Sequence, residues 1–532
     1  MKFWLIWVFL ISIVFEGARP AGAQPNVLTY HNNNLRTGWN ADETVLTLQN
    51  VNWKTFGKLF TDPVDGQIYA QPLYVSRVRI HGSFYHVVYV ATENNSVYAF
   101  NADHAGYPLW HDRFTTRSLV PVSFKDVFGC RQITPIIGIT DTPVIDLITH
   151  TMYLVSMVKT VSLHPRFFQI LHAIDIRTGK EKDGGPITIQ ASIPGGVQGS
   201  RRIRFKARVS NERCGLFMDQ IQDQSIVFTA WSSHCDQGDY HGWVIGYNAK
   251  DLHQQRYVFN VTPHGTEGSI WNSGAAPAIG AKGHIYLVTA NGTFNGFVHQ
   301  DWGDSFLKLN PESSGVLKVI DFFTPYNQSK LNEEDQDVGA GGVVLLPRSY
   351  GDSQHPHLLT GSDKTGEIYL IDCHAMGGYH EALKENEIVQ EFHVGARRYN
   401  ASFTTPCCFD SWVYWSMVGS PIRAYKLVRA HYAPYPTSWT PERYAYPGCV
   451  PSISSHGRVN GILWAIQVGN PAILRAYNAS NLGDEIYNSL EAPHGLDSTG
   501  APSDKFVPPT IAQGHVYVPL QKRLVVYGLR SF

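Results

Sequence analysis

The sequence predicts an all-β fold, an eight-bladed β-propeller with four antiparallel strands in each blade. Three observations favour this fold: a short motif occurs eight times, each copy belongs to a predicted β-hairpin, and no long segment free of Gly and Pro has helical periodicity. Charged residues make up only 16% of the chain and aromatic residues 12%, a composition that suits broad sheets packed face to face.

The repeated motif is a short apolar run that ends in a small residue, an aromatic or aliphatic residue and usually Asn or Asp. Its clearest copies are residues 97–101, 171–175, 244–248 and 306–310, and weaker copies are 368–372, 422–426, 474–478 and 524–528. Their last positions are separated by 74 residues at the start of the chain and by 50 at its end. A repeat near 50 residues with insertions is typical of propellers and related repeat folds.

Each repeat is interpreted as one blade. In the first repeat, segments 86–91 and 96–100 are rich in β-branched and aromatic residues and flank a polar turn, which predicts a hairpin. An upstream segment that opens with proline, such as the one at Pro72, supplies another strand, because proline is tolerated at the first residue of a strand. A further strand follows some hairpins. Eight such units predict one propeller domain over residues 24–532.

A closed ring also needs a partner for the outer edge of its last blade. Segments 514–518 and 524–527 supply strands almost to the end of the chain. We therefore expect the missing outer strand to come from the N-terminal part of the chain, around residues 27–30 or 56–60.

The first 23 residues have the pattern of a secretory signal peptide. Lys2 precedes an apolar run at 3–15, and Ala21-Gly22-Ala23 offers a small-x-small cleavage pattern. The apolar run is too short to span a bilayer, and no other segment approaches 18 apolar residues. We expect an exported, monomeric protein, periplasmic or extracellular, without a transmembrane segment.

The cysteine content and the net charge bear on the disulfides and on the partners to be expected. The seven cysteines are an odd number, and their spacing does not give the disulfide connectivity. Cys407 and Cys408 follow Pro406 at a predicted strand start, so we expect two thiols on opposite faces of a strand. A formal net charge of −1 argues against the basic surface that nucleic acid requires, and no nucleic-acid partner is expected.

One stretch resembles a known repeat family. Tyr153-Leu154, followed by AIDIRTG at 173–179, is similar to the repeat of the pyrroloquinoline-quinone (PQQ)-like, or quinoprotein-alcohol-dehydrogenase-like, β-propellers. Trp110 stands one residue from the position of that repeat's docking tryptophan, and residues 30–38 resemble the opening of uncharacterised secreted members. The resemblance extends over about residues 28–530 and implies the scaffold, since one fold hosts many functions.

The family contains quinone-dependent dehydrogenases and non-catalytic members. The resemblance implies that a dehydrogenase would hold PQQ over a calcium ion on the axis, beside a catalytic Asp and often near a vicinal disulfide. The family's calcium ligands cannot be assigned to this chain by motif, and Cys407-Cys408 lies in the sixth repeat instead of an early one. We expect a binding or scaffold protein with a small-molecule, carbohydrate or protein partner. The alternative is a PQQ- and calcium-dependent dehydrogenase of alcohols or sugars.

One set of candidate site residues precedes the predicted inner strands, where side chains point towards the mouth of the central channel. Such channels are the concave sites of propellers. We expect Arg213 to bind a carboxylate in bidentate geometry and Trp271 to form an aromatic wall. For each residue the alternative is a hydrogen bond that caps a strand. The set comprises Gln71, Asp141, Arg213, Trp271, Asn272 and Asp337.

A second set lies in the hairpin loop of the third repeat. His234, Asp236, Asp239 and His241 provide imidazole and carboxylate groups at short spacing, which suits a divalent cation. The alternative is a polar turn whose side chains hydrogen-bond within the loop, because Asp and His commonly do so in turns.

Overall fold

The computed structural model describes residues 26–196, 201–394 and 401–530. The predicted signal peptide lies outside these residues. The described chain forms eight small, mainly antiparallel sheets arranged in a ring, which confirms the eight-bladed β-propeller. Within the described ranges, none of the helices has the length and apolar character needed to cross a bilayer.

Each blade has four principal strands. From the axis outwards they are Leu73–Ile80, Ser83–Thr92, Ser96–Asn101 and Trp110–Arg113 in blade 1; Val144–Asp146, Thr151–Thr160, Phe167–Asp175 and Ile187–Thr188 in blade 2; Phe217–Ile221, Gln224–Ser233, Trp243–Asn248 and Gln255–Asn260 in blade 3; and Ala278–Ile279, Ile285–Val288, Phe306–Pro311 and Leu317–Phe323 in blade 4.

The second half of the ring repeats this arrangement. The strands are Val344–Leu345, Leu358–Ser362, Glu367–Asp372 and Gln390–His393 in blade 5; Cys407–Phe409, Trp412–Trp415, Arg423–Val428 and Ser438–Trp439 in blade 6; Ser452–His456, Val459–Gln467, Ile473–Asn478 and Glu485–Asn488 in blade 7; and Thr510–Ala512, His515–Leu520, Arg523–Leu529 and Phe56–Pro63 in blade 8.

Short elements decorate the blades. The additional strands are Trp39–Asn40, Leu119–Ser123, Ile136–Ile137, Ser192–Gly195, Arg201–Arg204, Ser210–Asn211 and His431–Tyr432. Helical turns are the α-helix Gln328–Glu333 and the 3-10 turns Asn272–Gly274, Ala281–Gly283, Gly296–Val298, Val338–Ala340, Arg348–Tyr350, Glu381–Leu383 and Pro493–Gly495.

The blade strands are apolar on both faces because each blade is packed between two others. In blade 1, Val87, Val88, Tyr89 and Val90 are consecutive, and all are at most 2% exposed. A strand with one wet face would alternate instead. The continuous apolar runs of the sequence therefore follow from the stacking of blades around the ring.

A tryptophan docks blade 1 onto blade 2. Trp110 donates an indole hydrogen bond to the carbonyl oxygen of Ile176 at 2.9 Å. Gly179 lies directly under the ring with a φ of 71°, and a Cβ at this position would lie 2.6 Å from the indole. The glycine that ends AIDIRTG is thus required both for backbone conformation and for contact with the neighbouring blade.

The N-terminal part of the chain closes the ring. Phe56–Pro63 pairs antiparallel with Arg523–Leu529 and forms the outer strand of blade 8. This confirms the second of the two predicted segments. The first segment is used differently, because Val27 and Tyr74 exchange two backbone hydrogen bonds of 2.9 Å at the inner strand of blade 1.

Residues 27–40 reach the inner strand of every blade, and we call this segment the N-terminal plug. Its hydrogen-bond partners, from blade 1 to blade 8, are Tyr74, Ile145, Met218, Ile279, Leu345, Cys408, Ile453 and Ile511. Within the plug, the buried Arg36 donates to the carbonyl oxygens of Pro277, Tyr30 and Asn33. The plug therefore occupies the channel just inside the ends where the inner strands begin.

The adjacent Cys407 and Cys408 have the arrangement that the sequence predicts. Cys407 packs in the core that contains Ile453 and Leu463 of blade 7, whereas Cys408 packs in the core that contains Leu358 of blade 5. The two thiols thus lie on opposite faces of one strand, as predicted. Among the described residues one disulfide is present.

Candidate site at the channel mouth

A cavity of about 360 Å³ opens at the end of the ring where the inner strands begin. In an antiparallel blade, the turn between the second and third strands lies at that same end, so both kinds of loop meet around the axis. The lining residues precede the inner strands of blades 2 to 8 or belong to the hairpin turns of blades 3 and 5. The plug lies directly below, since the Tyr30 hydroxyl donates to Thr405 at the start of blade 6.

One side of the cavity is an aromatic wall made of Trp271, Phe403, Tyr446 and Phe506. These side chains come from four different blades, and the ring centroids of neighbouring members lie 5.5–6.5 Å apart. Separations of this size are favourable for aromatic pairs. The rings are tilted by 47–80° relative to one another, so the wall offers a faceted apolar surface to a ligand.

Two cationic side chains extend from this wall. The Arg213 guanidinium lies 5.3 Å from the centroid of the Tyr69 ring and 5.6 Å from that of Phe506. Lys505 Nζ lies 5.6 Å from the same Phe506 centroid and 5.9 Å from that of Tyr446. Within the described residues neither cation has a carboxylate within ion-pair distance, and Arg213 is stabilised at longer range by the carboxyl groups of Glu93 and Asp504.

Arg213 is the least satisfied polar group of the cavity. Its residue is only 5% exposed, yet neither Nη1 nor Nη2 has a hydrogen-bond partner among the described residues. Gly274, with a φ of 92°, packs against it, and a Cβ there would lie 3.0 Å from Nη1. Burial lowers the pKa of Arg213. The guanidinium is held in a confined position with both terminal nitrogens unpartnered.

The opposite side of the cavity is polar, and two of its carboxylates share one ammonium. Lys364 Nζ lies 3.1 Å from a carboxylate oxygen of Asp335 and 3.1 Å from one of Asp337. The other Asp337 oxygen accepts a hydrogen bond from the Asn291 backbone. Burial raises the pKa of Asp337. Burial also disfavours the Lys364 ammonium, but the two carboxylates outweigh it, and the net pKa of Lys364 is raised.

Of the six residues predicted at the channel mouth, the structure brings Arg213, Trp271 and Asp337 into the cavity wall. The other three are buried and do not line it. Gln71 joins the plug to blade 8 by accepting from the His31 backbone and donating to Thr510.

The remaining two residues of the set, Asn272 and Asp141, also form hydrogen bonds below the cavity. Asn272 donates to the carbonyl oxygens of Val288 and Gly339 at 3.0 Å each. Asp141 accepts from the Val155 backbone, and burial raises its pKa well above the usual range. These contacts agree with the strand-capping alternative for each residue.

Of the four predicted metal ligands of the blade 3 loop, His241 and Asp239 approach each other, with 3.7 Å between Nε2 and a carboxylate oxygen, and each of the four also has contacts of its own. Asp236 accepts hydrogen bonds from Ser233 and Tyr240, and Asp239 pairs with Lys206. His241 shares a hydrogen bond with Thr262, and the buried His234 lines the cavity with Nε2 unpartnered. In the part of the chain that the structure describes, no group of three or more His, Cys, Asp or Glu side chains is placed to hold a metal ion.

Sequence reasoning missed several features of the site and its surroundings. Phe403, Tyr446, Lys505 and Phe506 precede the inner strands of blades 6, 7 and 8 and were not identified. The disulfide Cys130–Cys235 also lines the cavity and joins the insertion before blade 2 to the blade 3 loop. Glu93, assigned only to a hairpin turn, is buried with Oε1 unpartnered, and burial raises its pKa to about 8.

The cavity does not fit a calcium ion. Its lining carboxylates are Asp236, Asp335 and Asp337. The first accepts hydrogen bonds from neighbouring hydroxyls, and the other two share the Lys364 ammonium, which already supplies the positive charge at that position. Calcium requires six to eight oxygen ligands.

Comparison with known proteins identifies the fold. No protein-family model and no curated protein sequence matches the chain. A quinohemoprotein alcohol dehydrogenase from Pseudomonas putida is similar over 95% of this chain and 80% of its own, with 11% identity and a TM-score of 0.57. The enzyme from Comamonas testosteroni has the same coverage and identity and a TM-score of 0.56. A europium-containing methanol dehydrogenase matches 95% of this chain and 98% of its own, with 11% identity and a TM-score of 0.56. The chain has the β-propeller fold of the PQQ quinoproteins, and at this identity the likeness concerns the fold alone.

Proposed function

We propose that this protein is an exported, non-catalytic binding protein that holds an anionic small molecule in the cavity at the channel mouth. The observation that carries the proposal is the unpartnered guanidinium of Arg213. A buried donor without a partner costs roughly 1–3 kcal/mol, and more when it is charged. A carboxylate placed against Nη1 and Nη2 would remove that cost through two parallel charge-assisted hydrogen bonds.

The shape of the cavity supports a small ligand with a flat apolar part. Its volume of about 360 Å³ lies within the range of roughly 300–1,000 Å³ usual for small-molecule sites. The aromatic wall lies on the same side as Arg213, because Phe506, a member of the wall, lies next to both Trp271 and the Arg213 guanidinium. A ligand that combines a carboxylate with a ring or an alkyl group would use both surfaces at once.

The dehydrogenase alternative has less support. A quinone carries carboxylates and a flat ring, which Arg213 and Trp271 suit, but quinone chemistry in this fold family also relies on a cation. The carboxylates that line this cavity are already engaged with Lys364, Ser233 and Tyr240. Binding without a redox step is therefore the function that the donor set favours.

A binding experiment with matched ligands tests the proposal. We expect phenylacetate to bind in isothermal titration calorimetry and its neutral amide to bind at least tenfold more weakly. Arg213→Gln should abolish the difference between them, whereas Arg204→Gln, on an exposed strand of a nearby segment, should leave it unchanged. Equal binding of the acid and the amide, or an unaltered preference in Arg213→Gln, would rule out an anion site at this position.

A further inference from the structure

The cavity contains two lysines in opposite electrostatic environments. Lys364 lies between the carboxylates of Asp335 and Asp337. Lys505 is half-buried against aromatic rings, and its ammonium donates to the side-chain oxygen of Gln132. No carboxylate among the described residues pairs with it. The two amines therefore share one cavity but differ in how strongly their charged forms are stabilised.

Arg213 is the charged neighbour that acts on Lys505. Both cations lie 5.6 Å from the centroid of the Phe506 ring. The adjacent Asp504 carboxylate accepts hydrogen bonds from the Ile68 backbone and the side chain of Gln67. Burial raises the pKa of Asp504 to about 6, and the cation that acts against this rise is Arg213.

Burial and the Arg213 charge lower the pKa of Lys505 to about 8. At pH 8 the Lys505 amine is then neutral in about half of the molecules, compared with well under one in a hundred for an ordinary lysine. A desolvated lysine next to another cation is a known arrangement for an amine nucleophile.

We propose that Lys505 forms an imine with the aldehyde or ketone group of an oxo acid whose carboxylate binds Arg213. The amine lone pair forms a C–N bond to the carbonyl carbon, and a proton passes from nitrogen to oxygen. The resulting carbinolamine loses water and leaves a C=N bond to Nζ. No oxidant or reductant is needed. The inference rests on the proposed function, because Arg213 must first hold the carboxylate.

The aromatic wall gives the amine apolar neighbours, since Lys505 Nζ lies 5.9 Å from the centroid of the Tyr446 ring and 5.6 Å from that of Phe506. Gln132 holds Nζ on the cavity side of the rim. An oxo acid with an aromatic substituent suits the whole site, since its ring would contact the wall.

Borohydride trapping tests the inference. The full-length secreted protein is incubated with phenylpyruvate, reduced with sodium borohydride and analysed by intact mass and peptide mapping. We expect one adduct, located on Lys505, whose rate of formation rises as the pH passes about 8. Lys505→Arg should lose it, and Lys364→Arg should keep it. An adduct spread over many lysines, or one retained in Lys505→Arg, would overturn the proposal.

Two analogues separate this inference from the proposed function. Phenyllactate keeps the carboxylate but has a hydroxyl in place of the ketone, and phenylacetone keeps the ketone but lacks the carboxylate. If phenyllactate binds in an Arg213-dependent manner while phenylpyruvate gives no adduct, the imine is wrong and the anion site stands. If phenylacetone is trapped on Lys505 as efficiently as phenylpyruvate, Arg213 has no role in the reaction.

Discussion

Replacing Arg213 by methionine should stabilise the ligand-free protein while it abolishes ligand binding. The side chain is buried, and two of its nitrogens lack partners. An uncompensated buried charge costs about 3–5 kcal/mol, and contacts with the Tyr69 and Phe506 rings return on the order of 2 kcal/mol. Methionine fills a similar volume without charge. We therefore expect Arg213→Met to raise the free energy of unfolding by about 1–3 kcal/mol.

The assay is equilibrium urea denaturation at pH 7, followed by tryptophan fluorescence, with Arg36→Met as the matched control. Arg36 is also a buried arginine, in the plug, but it donates to four oxygens, those of Pro277, Thr29, Tyr30 and Asn33, and among the described residues only its Nη2 lacks a partner. Its loss should lower stability by about 3 kcal/mol or more, because those acceptors are left without partners. If Arg213→Met were destabilised as much as Arg36→Met, Arg213 would be a structural residue and the reasoning would be refuted.

The remaining predictions concern closure, pH, metal and export. Deleting residues 518–532 removes the strand that holds Phe56–Pro63, so cooperative unfolding should be lost, and a truncated chain that melts like the full one would contradict the closed ring. Burial raises the pKa of Glu93 from an ordinary 4.5 to about 8, so its contribution to stability is full below about pH 4.5 and is lost as the pH rises through about 8. Glu93→Gln should flatten that decline in urea titrations between pH 5 and 9, and an unchanged slope would exclude Glu93 as its source. A chelator should leave the melting temperature unchanged in the parent protein and in His241→Ala, whereas a drop confined to the parent would support a metal in the blade 3 loop. Mass spectrometry of secreted protein should find Gln24 at the N-terminus, and an intact Met1 would contradict export with cleavage.

The blades could be predicted from the sequence because each hairpin carries its own local signals. Apolar strands flank polar turns, and a proline opens many inner strands, as at Pro72. Counting strands predicted closure by an N-terminal segment, either 27–30 or 56–60, and the structure uses Phe56–Pro63. The N-terminal plug could not be predicted, because residues 27–40 have no regular periodicity and bond to partners as distant in sequence as Ile511.

The site was only partly predictable for a geometric reason. Residues before an inner strand face either the cavity or the layer below it without a fixed alternation. Trp271 lines the cavity whereas its neighbour Asn272 is turned into the contact between blades 4 and 5, but the neighbours Lys505 and Phe506 both line the cavity. The rule that residues shortly before an inner strand line the channel mouth would have identified Phe403 and Lys505 if it had been applied to blades 6 and 8. The pairing of Cys130 with Cys235 depends on loop paths that spacing does not specify.

The measurement that most directly separates binding from quinone catalysis is a titration with PQQ, with and without Ca²⁺, followed by absorption and by reduction of a dye acceptor. The account predicts weak or no PQQ binding, no effect of Ca²⁺, and no dye reduction by alcohols or aldose sugars. Stoichiometric, Ca²⁺-dependent PQQ binding with dye reduction that is lost in Trp271→Ala would contradict it and identify the protein as a dehydrogenase.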